Sequence, residues 1–165
     1  MSALSTSEDL GHPIEQVSAF IVRRDWFFRQ AHRDEILVDV PGRYGQYQMK
    51  VRWDSSQQTL DIACQLDSAI EDSRLGQAVL ALAVLNEDVA LGHFQLISDS
   101  FDIELRYRLA LRGTGGMTSE QVQDILDVMI DECEHAAPAL YQLASSNDLP
   151  PHTTRLVMMP VQGEA

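Results

Sequence analysis

Residues that can perform metal or thiol chemistry are concentrated in the segment Glu132-Cys133-Glu134-His135. Zinc requires four convergent ligands, or three and a water, and sequences usually supply them as CxxC or HxxxH pairs. Neither pair occurs in this chain. If the segment is helical, Cys133 and His135 point apart, because residues two positions apart do not share a helix face. We therefore expect Cys133 to pack in the core, His135 to lie on the surface, and no metal to bind.

A second candidate is the glycine-rich segment 113–116, which lies between an expected strand and an expected helix. Phosphate-binding turns occupy such positions, but this segment lacks both the GxGxxG spacing and the GK[ST] ending. His93, next to Gly92, is a candidate lone general base, yet no serine or cysteine nucleophile stands at a recognisable spacing from it. The sequence therefore predicts no catalytic residues, no cofactor and no enzymatic activity.

Carboxylates are dense in the last expected helix, and residues 113–148 contain no lysine or arginine. This acidic run is either an ordinary solvated face or a docking surface that steers a basic partner by its field. The residues predicted to form the steering surface are Asp124, Asp127 and Asp131.

Composition limits the classes of function. The chain has 165 residues and a formal net charge of -13, with Lys50 as its single lysine. Nucleic-acid binding is disfavoured, because it depends on clustered basic residues. Two cysteines are too few for a disulfide framework, and the N-terminal residues do not resemble a secretory signal, so we expect a cytoplasmic protein. The longest apolar run, residues 78–85, is far shorter than the ~20 residues that span a membrane, so no membrane association is expected.

The stretch of residues 72–94 contains this apolar run, and we expect it to form a central helix that stops at Leu91-Gly92, before His93-Phe94 opens a strand. Its alanine and leucine content favours helix over buried strand, and Gly92 is positioned to end it. A helix that is apolar all round is normally buried on more than one side. We expect this helix to pack between the sheet and either another helix or a second copy of the chain. A homodimer is predicted, with Leu75, Val79 and Leu82 at its interface.

The remaining elements follow from periodicity and turn residues. A helix begins at Pro13, strands near residues 26–28 and 36–40 flank the polar run 31–34, and Pro41-Gly42 forms a turn. Alternating strands follow at 47–53 and 60–66, then a hairpin at 94–97 and 103–111. Thr118 and Gln121 form a capping box at the start of the last helix, which Pro138 should kink or end. Residues 13–146 are expected to form one domain, with a disordered N-terminus at 1–12 and a flexible tail at 147–165.

The alternation of the strands also assigns residues to faces. Tyr47, Met49, Val51 and Leu105 fall on the inward side of their strands. Four arginines fall on the outward side, where we expect an exposed, mixed-charge surface: Arg52, Arg106, Arg108 and Arg112.

Several ordered motifs resemble the YbjN-like family of bacterial sensory transduction regulators. They are Pro41-Gly42-Arg43-Tyr44 with Tyr47, Leu85-Asn86-Glu87, Leu91-Gly92-His93-Phe94, Leu109-Ala110-Leu111-Arg112-Gly113, Glu120-Gln121, and Glu132-Cys133-Glu134 followed by Pro138. The resemblance covers roughly residues 12–143 and implies an α+β fold similar to type III secretion chaperones, in which helices pack on a twisted antiparallel sheet. It brings no catalytic residues and implies a regulatory or chaperone-like role. Ala136-Ala137 depart from the pattern, since relatives tend to carry aromatic residues there.

Two functions remain open at this point. The first is a non-catalytic bacterial regulatory or chaperone-like protein that binds a partner polypeptide, using its charge and a sheet edge open to β-augmentation. The alternative is a small-molecule-binding sensor domain with a pocket between the sheet and the helices.

Overall fold

The structure, a computed structural model, describes residues 11–145. The predictions for most of the N-terminus and for the tail at 147–165 lie outside the described residues. Within them the chain forms three α-helices and six strands. Their bounds are α1 Pro13–Arg23, β1 Phe27–His32, β2 Glu35–Gly42, β3 Gly45–Asp54, β4 Thr59–Leu66, α2 Leu75–Asp88, β5 His93–Leu96, β6 Ile103–Ala110 and α3 Ser119–Ser145, with a short 3₁₀ turn, Asp72–Arg74, before α2.

The six strands form one open antiparallel sheet in the order β1-β2-β3-β4-β6-β5. The predicted alternation is confirmed, because Tyr47, Met49 and Val51 are buried while the residues between them are exposed. The helices cover this inner face: α1 contacts β1 to β3, α3 contacts β4, and α2 contacts β5. The predicted α+β class is therefore confirmed, and the opposite face of the sheet carries no helix in the described part of the chain.

Helix α3 begins as the sequence predicts. The backbone N–H of Thr118 donates to Gln121 Oε1 at 2.9 Å, and the N–H of Gln121 donates to Thr118 Oγ1 at 3.2 Å. This reciprocal pair satisfies two of the donors that a helix N-terminus leaves free.

Of the two alternatives predicted for Pro138, a kink or an end of the last helix, the end is wrong, because α3 continues to Ser145. Pro138 itself is exposed, whereas Ala139, Leu140 and Leu143 beyond it are buried. The burial of this last apolar stretch offsets the lost backbone hydrogen bond, which is why the proline is tolerated.

Helix α2 ends at Asp88, four residues before the predicted stop at Gly92. The side chain of Asn86 accepts from the N–H of Phe94 at 2.7 Å and donates to the carbonyl of Phe94 at 2.9 Å. These two bonds draw the chain back toward β5 directly after the helix. Gly92 still has a positive φ of 82°, and a Cβ there would lie 2.5 Å from the carbonyl oxygen of Arg106.

The strands at the first sheet edge are longer than predicted. Pro41 and Gly42 are the last residues of β2 and not the turn, and Ala31 and His32 belong to β1. Gly42 is required there for packing, because a Cβ would collide with the ring of Tyr47.

Candidate interaction surfaces

The residues considered for chemistry lie apart and form no reactive group. Cys133 is fully buried and His135 is exposed, as predicted. A hydrogen bond with Cys64, together with burial, raises the pKa of the Cys133 thiol. A thiol that stays protonated is a poor nucleophile and a poor metal ligand. Within residues 11–145, no cluster of three or more histidine, cysteine, aspartate or glutamate side chains is arranged to hold a metal ion.

His93 and the glycine-rich segment also lack a reactive arrangement. The His93 Nε2 atom lies 3.3 Å from Gln95 Oε1, and an amide is neither nucleophile nor acid. In segment 113–116, the Thr114 hydroxyl donates to the carbonyl of Leu111 at 2.9 Å, which folds the loop back on β6. The start of α3 beyond it is already capped by its own side chains.

The acidic face of α3 is partly used within the molecule. Both carboxylate oxygens of Asp127 accept from Arg24 Nη2, at 2.6 and 2.7 Å. Arg24 is itself held over the ring of Phe20, 5.0 Å from its centroid. Asp124 and Asp131 are exposed. Of the three predicted steering residues, these two therefore keep an unpaired charge toward solvent.

Glu132 and Glu134 of the acidic run accept hydrogen bonds from backbone N–H groups of the same chain, and do not simply form a solvated or partner-steering face. Glu132 Oε1 accepts from the backbone N–H of Ala90 at 2.9 Å, and Glu134 Oε1 accepts from that of Arg43 at 2.5 Å. The first bond holds the segment after α2, and the second holds the turn between β2 and β3. Glu132 and Glu134, which belong to a motif of the family resemblance, thus bind the segment after α2 and the β2–β3 turn to α3. Their signal in the sequence is that the two carboxylates flank Cys133, a position on the buried stripe.

The outward face of α2 is apolar and uncovered. The side chains of Val79 and Leu80 are 56% and 63% exposed. Gly76 and Ala83, also exposed, lie on the same side at helical spacing. The prediction that this helix packs between the sheet and another helix is confirmed, because α2 contacts both β5 and α3. Its buried residues are Ala78, Ala81 and Leu82, and the side that carries Val79 and Leu80 stays uncovered within one chain.

The three predicted interface residues are separated by this arrangement. Val79 faces solvent, Leu75 is half-buried against the core, and Leu82 is buried inside the same chain. A seam on α2 would therefore use Val79 with Leu80 rather than Leu82.

The sheet has two edges of unequal accessibility. Strand β5 has four residues, whereas β1 has six, of which five are exposed. Phe27 on β1 is 71% exposed. The edge formed by β1, the end strand of the sheet, is therefore the more accessible of the two.

The outer face of the sheet carries a charged cluster centred on Asp61. This carboxylate is only 8% exposed and accepts from Arg106 Nε at 3.0 Å, Arg106 Nη2 at 2.5 Å and Arg108 Nη2 at 2.8 Å. Arg52 Nη2 lies 3.6 Å away. Burial raises the pKa of Asp61, but the hydrogen bonds from Arg106 and Arg108 outweigh it and hold that pKa below its ordinary value.

The alternation thus placed three arginines correctly on the outward side, but it did not reveal that Asp61 lies buried beneath them. Arg112, the fourth, lies beyond the end of β6 in an exposed turn.

The chain was compared with membrane-spanning helices, with curated protein sequences and with protein families. No helix within residues 11–145 is long and apolar enough to cross a membrane. No curated protein sequence matches the chain. The family model YbjN, described as "Putative bacterial sensory transduction regulator", matches residues 13–142.

The solved structures that are similar in fold include the following two. The crystal structure of YbjN, described as a putative transcription regulator from E. coli, has a TM-score of 0.54 and 11% identity, over 81% of this chain and 96% of that chain. A chain of the ExsC-ExsE complex has a TM-score of 0.50 and 10% identity, over 88% of this chain and 100% of that chain. The predicted type III secretion chaperone-like fold is confirmed. With a family match over most of its length, this chain belongs to the YbjN family.

Proposed function

We propose that this protein is a non-catalytic, cytoplasmic regulator of chaperone-like type that acts by binding a partner polypeptide, and that it does so as a homodimer. The observation that carries the proposal is the open β1 edge, because β1 is the end strand of the sheet and five of its six residues are exposed. Natural proteins usually shorten, cover or charge such edges, because an uncovered edge pairs with other chains. Main-chain pairing tolerates varied partner sequences, which suits a regulator with several clients.

The similar structures support this reading. The ExsC-ExsE structure is, by its name, a complex of two proteins. We carry over from it the mode of action, binding to another polypeptide, and no residue or partner.

Electrostatic steering is the second part of the proposal. A net charge of -13 favours encounter with a basic partner and makes the encounter salt-dependent. Asp124 and Asp131 are the exposed charges of α3 that are free to act in this way, whereas Asp127 is neutralised by Arg24.

We expect that Asp124→Asn with Asp131→Asn will recover several-fold less of the same partner from host lysate at low salt. The loss should shrink as salt is added, because exposed charges are screened beyond ~10 Å at 0.1 M. The measurement is quantitative mass spectrometry of the co-purified proteins. Glu71→Gln with Asp72→Asn is the matched control, since it removes the same charge from exposed positions outside α3. Equal recovery by both double variants would remove α3 from the proposal.

The sensor alternative is supported by one cleft between α1 and the end of the sheet. It has a volume of about 360 Å³ and is lined by Pro13, Trp53, Leu111 and the glycines of segment 113–116 among others. This volume is within the ~300–1,000 Å³ of small-molecule sites. Native mass spectrometry separates the two functions. A co-purifying metabolite that Trp53→Ala releases would favour the sensor, and a co-purifying polypeptide favours the proposal above.

A further inference from the structure

The outer face of the sheet contains a small cleft whose charge is opposite to that of the protein. The cleft has a volume of about 170 Å³ and is lined by Lys50, Arg52, Asp61, Ala63, Glu104 and Arg106. The single lysine of the chain thus lies beside two arginines. Arg108, two residues after Arg106 on β6, also donates a hydrogen bond to Asp61. Glu35 Oε2 lies 3.6 Å from Lys50 Nζ. Counting Arg108 and Glu35, the cleft has four cations and three anions, in a protein whose net charge is -13.

The guanidinium groups are held in place before any ligand arrives. Asp61 uses its two oxygens on Arg106 and Arg108, and its burial fixes their position. Each guanidinium has five N–H donors, so these bonds leave most of the donors available. Arg52 and Arg108 have side chains about half exposed, at 51% and 52%. Guanidinium forks that hydrogen bonds hold in place, as they hold those of Arg106 and Arg108, are suited to bind oxyanions, and preorganisation lowers the entropic cost of binding.

The dimensions of the cleft favour a small group. Ala63, in the middle of β4, has no side chain long enough to fill the space between Lys50 and Arg106. Glu104, the second anion, is engaged by Gln95, whose Nε2 donates to its Oε1 at 2.6 Å. A volume of about 170 Å³ is below the ~300 Å³ at which drug-sized sites begin. It is therefore suited to a head group rather than to a whole ligand.

We propose that this cleft is a binding site for a phosphate group, either free or as a monoester, held by Arg52, Arg108 and Lys50 around the Asp61–Arg106 pair. Phosphate is preferred to carboxylate because it carries about -1.5 to -2 charges at neutral pH and three strong acceptor oxygens. The cations approach from two strands, β3 and β6, on either side of Asp61 and Ala63 on β4, so that they can reach different oxygens of one phosphate group. The site goes beyond the polypeptide binding proposed above and does not depend on the dimer or on the β1 edge.

The test is a titration of the isotope-labelled full-length protein with inorganic phosphate, followed by backbone and arginine Nε–H NMR signals at constant ionic strength. We expect saturable shifts at Arg52, Arg106 and Arg108, with a millimolar dissociation constant. Arg52→Gln with Arg108→Gln should weaken binding about ten-fold, which corresponds to ~1.4 kcal/mol. Arg33→Gln with Arg112→Gln, exposed and outside the cleft, removes the same charge and should leave the affinity unchanged.

Three results would overturn the proposal. The first is a set of shifts that never saturates, and the second is an equal loss of affinity in the control variant. The third is tighter binding of glutarate than of phosphate, which would assign the cleft to carboxylates. A phosphorylated monosaccharide, added as a second ligand, separates a monoester site from a site for the free ion. Binding of either with the expected dependence on Arg52 and Arg108 supports the proposal.

Discussion

Replacing Leu80 with aspartate should convert the homodimer that we propose to a monomer. Leu80 and Val79 are the large apolar residues of α2 that face solvent, and no charged residue interrupts the helix between Leu75 and Asn86. Burial of one such side chain contributes ~1.5–3 kcal/mol, and each copy contributes both. An interface on this face of α2 would therefore depend on the burial of these two side chains from each copy. Two aspartates buried against each other would abolish it.

Light scattering after size-exclusion chromatography, at micromolar protein concentration, measures this directly. Val22→Asp is the matched control, because Val22 is 62% exposed and lies on α1, away from α2. The control should remain dimeric. A wild-type monomer would refute the seam, and a dimer that survives Leu80→Asp would move the interface to another surface such as the β1 edge.

Gly76 offers a test in which stability and association change in opposite directions. A Cβ at this position would have no atom within 4 Å, so nothing in the single chain requires a glycine there. In a monomer, Gly76→Ala should stabilise α2 by up to about 1 kcal/mol, the usual difference between the two residues in a helix. If two α2 helices approach at Gly76, the added methyl group should raise the dimer dissociation constant. Denaturation at low concentration and light scattering measure the two effects separately.

The sequence predicted features that arise from local periodicity. The alternation of Tyr47, Met49 and Val51, the capping box at Thr118 and the burial of Cys133 all depend on residues within a few positions of one another. Features that depend on distant residues were missed or misplaced. The pairing of Asp127 with Arg24 joins residues 103 positions apart, and no local pattern identifies such a partner.

The ends of the helices also divide into those that nearby residues determine and those that distant contacts determine. The start of α3 is specified by its own cap, whereas its end is decided by whether Leu140 and Leu143 find a core to pack against. A local rule for proline predicts a break, but the tertiary contacts override it. Similarly, α2 ends where Asn86 reaches Phe94 across the next turn, and not at Gly92.

The sequence predicted the candidate interaction surfaces only in part, because local patterns identify the elements that form them but not how their side chains pack. The apolar run identified α2 as exceptional, but only the packing shows that Val79 and Leu80 face outward and Leu82 inward. Alternation placed Asp61 on the outward side with the arginines. It gives no measure of how far the side chains of β3 and β6 fold over a carboxylate between them.

We expect Asp61→Asn to destabilise the protein by about 2–3 kcal/mol. The change leaves the guanidinium groups of Arg106 and Arg108 facing an amide that can accept only at one oxygen. Removing one partner of a buried ion pair costs ~3–5 kcal/mol. The expected loss of about 2–3 kcal/mol lies at or below the lower end of this range, because both arginines are partly exposed and their charge is screened by solvent. Asp39→Asn, on the same face of the sheet, is the control and should change stability by less than ~0.5 kcal/mol.

The difference in free energy of unfolding between wild type and Asp61→Asn should depend on pH, and this dependence identifies the cause of the destabilisation. The pKa of Asp61 is held below its ordinary value in the folded protein, so the folded state favours the ionised form. Its contribution is therefore fully present above the ordinary aspartate pKa of ~3.9 and is lost as the pH falls through the lower, folded value. Chemical denaturation of wild type and Asp61→Asn should show a constant gap in the free energy of unfolding near neutral pH. That gap should narrow below about pH 4. A gap that persists unchanged in acid would mean that the asparagine disturbs packing rather than charge. A gap that closes in acid would show that the ionised carboxylate is what holds the arginines of this face in place.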